Sequence, residues 1–92
     1  MIRSFRDRRT ERFWLGEHLK QFGGFERQAL RKLDMLHQAR TLSDLRAPPA
    51  NRLEALSGDR RGQHSIRIND QWRICFRWTE EGPSDVEIVD YH

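Results

Sequence analysis

The chain has 92 residues, with 17 Lys and Arg against 14 Asp and Glu, which gives a net charge of +3 when His is neutral. This length fits a single domain over residues 1–92, and it excludes a two-domain architecture and a nucleotide-binding α/β enzyme of ordinary size. A single cysteine, Cys75, excludes an internal disulfide and favours a reducing, cytoplasmic setting, and no apolar run approaches the roughly 20 residues of a membrane span.

Arginine dominates the basic residues. Fifteen of the 17 cations are Arg. The planar guanidinium holds phosphate through two parallel hydrogen bonds, whereas Lys acts as a point charge. A small basic chain of this kind predicts a polyanionic partner, nucleic acid first. The alternative is a GC-rich genome, which raises the proportion of Arg to Lys without functional meaning. The positions of the arginines in the fold must therefore distinguish the two explanations.

The first half of the chain has the pattern of helices. Asp7 or Thr10 is a candidate cap for a helix that runs to about Lys20. A second helix of about 16 residues is predicted from Phe25, because its apolar residues recur at spacings of three and four. One more turn is expected at residues 42–45, before a pair of prolines ends any helix.

The second half alternates apolar and polar residues, which is the period of β-strands. Three strands are expected, at residues 66–68, 72–78 and 86–89. Turns are predicted at residues 69–71 and 82–85, and residues 2–5 could form an edge strand. Strands joined by such short loops must be antiparallel. The predicted fold class is therefore α+β, with two N-terminal helices packed on one face of a small antiparallel sheet.

Alternation within the strand at residues 72–78 places its arginines on the face that the helices leave open. The arginines on or beside this face are Arg60, Arg61, Arg67, Arg73 and Arg77. The strands carry few carboxylates to balance them, Glu87 being the obvious one. We therefore predict a cationic surface that binds the phosphates of a nucleic acid. The alternative is an ordinary solvated face with surface charges.

The last three residues are Asp90, Tyr91 and His92, and all of them can donate, accept or transfer protons. A carboxylate beside the imidazole could orient its ring or act as the partner base; a frayed polar terminus is the alternative. Paired Cys or His spacings and a Gly-rich phosphate loop are missing from the sequence, so we expect neither a metal nor a cofactor.

Four motifs occur in a specific order along the chain. They are Leu-x-Gly-Asp-Arg-x-Gly at residues 56–62, Ser-Ile-Arg-Ile at 65–68, Trp-Arg-Ile at 72–74 and the terminal Asp-Tyr-His. In this order they resemble the HigB (plasmid-maintenance killer) toxins of bacterial type II toxin–antitoxin systems, which belong to the RelE/ParE superfamily. The resemblance covers essentially the whole chain.

The resemblance implies a compact RelE-like fold and a ribosome-dependent endoribonuclease that cleaves mRNA in the decoding site. It also implies a HigA-like helix-turn-helix antitoxin, whose complex with the toxin binds operator DNA. The family's catalytic residues match Arg73, Asp90, Tyr91 and His92. Where some HigB toxins carry a catalytic His, this chain has Glu54, which can serve as a base but is a poorer acid at neutral pH.

Metal-free RNA cleavage of this kind uses the 2′-hydroxyl of the substrate as the nucleophile. We assign Arg73 to the phosphorane, Asp90 or Glu54 to removal of the proton, and His92 or Tyr91 to protonation of the leaving oxygen. Two alternatives stay open: a ParE-like toxin that poisons DNA gyrase by protein contact, and a non-catalytic nucleic-acid-binding module that uses the arginines alone.

Overall fold

The computed structural model of the chain describes residues 1–90. Its helices and strands are α1 (Arg8–Trp14), α2 (Glu26–Gln38), β1 (Glu54–Ala55), β2 (His64–Arg67), β3 (Trp72–Thr79) and β4 (Gly82–Asp90). The four strands form one antiparallel sheet in the order β1-β2-β3-β4. The predicted α+β class is confirmed. None of the helices in the described part of the chain is both long and apolar enough to span a bilayer.

Helix α1 begins where the sequence predicts and ends earlier. The side chain of Asp7 accepts a hydrogen bond from the backbone N–H of Thr10 at 3.2 Å, which caps the helix. The helix ends at Trp14 rather than near Lys20, and the chain turns at Gly16, whose φ of +107° is accessible to glycine at no steric cost.

One hydrophobic core lies between the helices and the sheet. Helix α2 runs for 13 residues and buries Ala29, Leu33 and Leu36 along one face, as its apolar spacing predicts. Opposite them, Ile74 and Phe76 of β3 are fully buried. Each of these side chains except that of Ala29 contributes about 1.5–3 kcal/mol on burial. This packing covers one face of the sheet and leaves the second face for other contacts.

The turn predicted at residues 82–85 is wrong, because these residues begin β4 and the chain turns at residues 80–81 instead. Proline is tolerated in an edge strand, and Pro83 pairs with Trp78 there. The segment at residues 2–5 lies along β4 but makes one isolated bridge, from Phe5 to Val86, rather than the predicted strand. Gly82 permits this approach, since a Cβ there would lie 2.7 Å from the carbonyl oxygen of Met1.

The predicted extra turn is present as a 3₁₀ helix, Leu42–Arg46, and Asp44 holds its start. A carboxylate oxygen of Asp44 accepts hydrogen bonds from the backbone N–H of Arg40 at 2.9 Å and of Thr41 at 3.1 Å. These bonds, the one from Arg40 first, lower the pKa of Asp44 below its ordinary value.

Because the pKa of Asp44 is lowered by folding, its stabilising contribution is present above the unfolded pKa and is lost as the pH falls through the folded pKa. We expect the difference in unfolding free energy between the wild type and Asp44→Asn to shrink from about pH 5 to about pH 2. Urea unfolding over this pH range measures the difference. A gap that stays constant with pH would contradict the assignment.

Candidate functional site

The second face of the sheet, turned away from the helices, carries two rows of residues that face one another across the strands. Glu54, Ser65, Cys75 and Glu87 form one row, with one residue from each strand. Arg67 and Arg73 lie opposite one another in the next row. We call these six residues, together with Arg77 further along β3, the arginine face.

Arg73 is held rigidly in the middle of this face. Its Nε donates to the hydroxyl of Ser65 at 2.8 Å, and its Nη2 donates to the carbonyl oxygen of Arg52 at 2.7 Å. Only 9% of Arg73 is exposed, and Ser65 is fully buried. Two hydrogen bonds from different nitrogens of one guanidinium fix both its position and its plane.

The prediction that Arg73 and Cys75 lie on an open surface is wrong in one respect, since both are buried. The predicted face is right, but Arg73 contacts the carbonyl of Arg52, which lies just ahead of β1. Burial raises the pKa of the Cys75 thiol, and the nearby charge of Arg60 opposes the shift only in part.

Glu54 lies beside Arg73, as the two assigned roles require. Its carboxylate is 4.0 Å from Nη2 of Arg73, and about half of the side chain is exposed. Asp90 pairs with Trp72, which packs on the helix side, so successive residues of β4 place Asp90 on the opposite face from Arg73. A carboxylate oxygen of Asp90 accepts a hydrogen bond from the amide of Gln71 at 3.0 Å.

Tyr91 and His92 lie outside the described residues. Their assignment to the proton transfers therefore stays a prediction from the sequence.

The other arginines of the predicted phosphate-binding surface are largely paired with carboxylates. Arg60 contacts Glu87 at 3.1 Å, Arg67 contacts Asp70, and Arg77 contacts Asp85 at 3.5 Å. Arg61 is exposed. The expected shortage of balancing carboxylates is wrong, because the hairpin loop supplies Asp70 and the irregular stretch of β4 supplies Asp85. A count over the predicted strands omits both, because Asp70 lies in a loop and the last of these strands was predicted to begin only at Val86.

A separate cleft of about 590 Å³ opens on the helix side of the sheet, at the β1 edge. Its lining residues are Leu42, Ser43, Arg46, Leu53, Ala55 and His64. His64 stacks on Phe76, which belongs to the core, so the cleft does not communicate with Arg73 through the sheet. Among residues 1–90, no cluster of His, Cys, Asp and Glu has a geometry that could hold a metal ion.

Sequence reasoning missed Ser65 and the carbonyl of Arg52. The motif at residues 65–68 indicates the family, but the motif alone assigns no role to its serine. Counting outward from the hairpin loop pairs Arg67 with Arg73 and Ser65 with Cys75, so the hydroxyl of Ser65 could have been placed near Arg73. The backbone contact from Arg52 leaves no signal in the sequence.

Comparison with known proteins gives a consistent result. Residues 3–92 match a family model described as RelE-like toxin of type II toxin–antitoxin system HigB. The chain is 38% identical to Toxin HigB-1 of Vibrio cholerae serotype O1 over 82 residues, which cover 87% of this chain and 86% of that protein. It is also 38% identical to an uncharacterized protein of Haemophilus influenzae over 76 residues, which cover 80% of this chain and 75% of that protein.

Among solved structures, the fold is similar to a chain of the YoeB–YefM complex from Staphylococcus aureus. The TM-score is 0.58 at 18% sequence identity, over 100% of this chain and 98% of that chain. This similarity supports the RelE-like fold that the motifs imply. From the family match and the close relatives, the chain belongs to the HigB-like family of RelE-like toxins of type II toxin–antitoxin systems.

Proposed function

We propose that this toxin is a ribosome-dependent endoribonuclease that cleaves mRNA in the decoding site and so inhibits translation and growth. The observation that carries the proposal is the pair formed by Arg73 and Glu54: a guanidinium fixed by two hydrogen bonds with a half-exposed carboxylate 4.0 Å away. A fixed cation beside an accessible carboxylate suits a reaction that builds negative charge while a proton is removed.

The reaction begins when the 2′-hydroxyl of a ribose loses its proton and its oxygen attacks the adjacent phosphorus. The bond to the 5′-oxygen of the next nucleotide then breaks, and that oxygen takes up a proton. The products are a 2′,3′-cyclic phosphate and a 5′-hydroxyl, and no metal is needed to supply the nucleophile. Arg73 stabilises the charge that develops on the phosphorane, a contribution of about 3–4 kcal/mol by analogy with a single oxyanion donor.

Glu54 is favoured over Asp90 as the base that removes the 2′-proton. Both carboxylates were assigned to this step from the sequence. Glu54 shares a face with Arg73, whereas the register of β4 places Asp90 on the other face. His92 or Tyr91 protonates the leaving 5′-oxygen, an assignment that rests on the chemistry of their side chains and on the family resemblance.

The matched pair Glu54→Gln and Asp90→Asn tests the choice of base, since each removes one carboxylate and keeps its size. We expect Glu54→Gln to lower the single-turnover cleavage rate on programmed ribosomes by about 10²-fold, in line with the contribution of one general base. Asp90→Asn should lower it less. The reverse order would transfer the role of base to Asp90.

Arg60, Arg61, Arg67 and Arg77 hold the RNA backbone on either side of the cut. Their ion pairs are compatible with this role, because partly exposed pairs such as Arg77 with Asp85 contribute only about 0–1 kcal/mol and a phosphate can displace the carboxylate. Free RNA bound in this way would be oriented poorly, and the ribosome supplies the orientation, which is a large share of the barrier.

The last glycine of the Leu-x-Gly-Asp-Arg-x-Gly motif gives a test of phosphate binding. Gly62 has a φ of +90°, and a Cβ there would lie 2.8 Å from a terminal nitrogen of Arg77. Gly58 has a φ of +64°, and a Cβ added to Gly58 would have no other atom within 4 Å. Alanine is strained at both positions, so we expect each substitution to lower the unfolding free energy by about 1–2 kcal/mol.

Only Gly62→Ala displaces the guanidinium of Arg77, and only this variant should weaken RNA binding. The slope of log affinity against log salt concentration should fall by about 1 in Gly62→Ala, as for the loss of one phosphate contact. The slope for Gly58→Ala should match the wild type. Fluorescence anisotropy with a short RNA over a salt series measures both slopes. Equal slopes in all three proteins would remove Arg77 from the phosphate-binding set.

The partner that neutralises this toxin is proposed to be a HigA-like helix-turn-helix antitoxin, and the complex of the two would bind operator DNA. Membership in a toxin–antitoxin family supports an antitoxin partner, and the structurally similar chain was solved in a YoeB–YefM toxin–antitoxin complex. Both the ribosome and the antitoxin place the proposed activity in the cytoplasm.

Mapping of mRNA 5′ ends after induced expression tests the proposed function. New 5′ ends within translated reading frames, and growth arrest that co-expressed antitoxin relieves, are the expected results. DNA damage without new mRNA ends would favour a ParE-like gyrase poison. Salt-dependent RNA binding without any cleavage product would favour a non-catalytic binding module.

A further inference from the structure

Asn51 is a fully buried polar side chain at the edge of the candidate site. Its amide nitrogen donates to the carbonyl oxygens of Leu45 at 3.2 Å and of Ala47 at 3.3 Å. Its amide oxygen accepts a hydrogen bond from the ammonium group of Lys32 on α2. Such a buried amide stabilises the protein only while its donors and acceptor are satisfied together, because each lost partner leaves a desolvated polar group.

The residue that follows has a strained backbone. Arg52 adopts the left-handed conformation, with φ of +46° and ψ of +57°. This conformation costs an L-residue other than glycine about 1–2 kcal/mol, so it persists only where the surrounding structure imposes it. The backbone N–H groups of Asn51 and Arg52 donate to the carbonyls of Pro48 and Pro49 at 2.9 and 3.0 Å, which completes the turn.

This turn positions one member of the proposed catalytic pair, Glu54, and the acceptor that holds the other, Arg73. The carbonyl oxygen of Arg52 accepts the 2.7 Å hydrogen bond from Nη2 of Arg73. Two residues later the chain enters β1 at Glu54, whose carboxylate is 4.0 Å from the same nitrogen. A small change in the turn therefore moves the acceptor that orients the cation and also the candidate base.

We infer that Asn51 is a positioning residue for cleavage: its side chain ties the turn to α2 and to the preceding 3₁₀ helix and so sets the geometry of Arg73 relative to Glu54. The inference rests on the proposed function, in which Arg73 and Glu54 act on the RNA. Asn51 itself contacts neither of these side chains, so its effect passes through the backbone of Arg52.

The experiment compares Asn51→Ala with Asp7→Ala in two measurements. The first is kcat and KM for cleavage on programmed ribosomes. The second is the NMR exchange rate of the Arg73 Nη2–H in the free toxin, assigned by its loss in Arg73→Lys. Asp7 caps α1, and its substitution costs about 0.5–2 kcal/mol of stability. Because Asp7 does not contact the turn, Asp7→Ala is the control for general destabilisation.

We expect Asn51→Ala to lower kcat by between about tenfold and 10²-fold, the cost of a small misplacement of reacting groups, with KM nearly unchanged. The Arg73 Nη2–H should exchange faster with water, because it loses the fixed acceptor at the carbonyl of Arg52. Asp7→Ala should leave both readouts at the wild-type value. If Asn51→Ala does not fold, Asn51→Asp serves the same test, because it keeps the acceptor for Lys32 while an oxygen that cannot donate replaces the amide nitrogen bonded to Leu45, Ala47 and Met35.

An Arg73 Nη2–H signal that is unchanged in the Asn51 variant overturns the inference, whatever the cleavage rate. Unchanged kcat with a perturbed signal also overturns the role in cleavage. If Arg73→Ala retains full cleavage as well, the proposed function of Arg73 fails independently, because that result does not involve Asn51.

Discussion

Replacing Arg73 with alanine is expected to lower the cleavage rate on programmed ribosomes by about 10²–10³-fold, the effect of removing one preorganised donor from a developing oxyanion. Affinity for RNA should change far less, because the remaining arginines of the surface supply most of the phosphate contacts. Single-turnover kinetics with a ribosome-bound mRNA separates the two effects. Near wild-type cleavage by Arg73→Ala would contradict the assignment.

Stability has to be measured in parallel, since Arg73 is buried. Alanine at this position leaves the hydroxyl of Ser65 and the carbonyl of Arg52 without their donor, and each such loss costs about 1–3 kcal/mol. Arg73→Lys is the matched control, because it keeps the charge but offers a single ammonium in place of a planar fork. We expect Lys to restore only part of the lost rate, at a temperature where all three proteins are folded.

Removal of the last three residues, with the chain ending at Val89, is expected to reduce cleavage by at least about 10²-fold, because one general acid–base group contributes roughly 10²–10⁴-fold. The single variants Tyr91→Phe and His92→Ala then divide the effect between the phenol and the imidazole. RNA affinity should be retained, since the arginine face is intact. Equal cleavage by the truncated and full-length toxins would remove these residues from the mechanism.

The sequence patterns predicted much of the fold because they reflect local physics. The cap at Asp7 and the apolar spacing of α2 depend on neighbouring residues only. The prediction of a turn at residues 82–85 was wrong because the glycine and the proline there have other structural roles. The glycine admits the backbone of Met1, and the proline lies at a sheet edge, and neither requirement is visible from local composition.

The candidate site was predictable to the extent that it follows from strand register. Alternation placed Arg73 on the correct face, and the resemblance brought Glu54 into the same argument. The burial of Arg73, the left-handed turn at Arg52 and the anchoring of that turn by Asn51 all depend on loop contacts between segments far apart in the chain. Propensity and periodicity carry no information on such contacts.

The most direct test of the central claim uses two mRNAs that differ in one atom. One carries ribose and the other 2′-deoxyribose at the nucleotide immediately 5′ of the mapped cut, and each is presented in the ribosomal decoding site and also free in solution. We predict that only the ribosome-bound all-ribose mRNA is cut, with a 2′,3′-cyclic phosphate and a 5′-hydroxyl at the new ends. Equal cleavage of the 2′-deoxy mRNA would contradict an attack by the 2′-hydroxyl, and equal cleavage of free mRNA would contradict dependence on the ribosome.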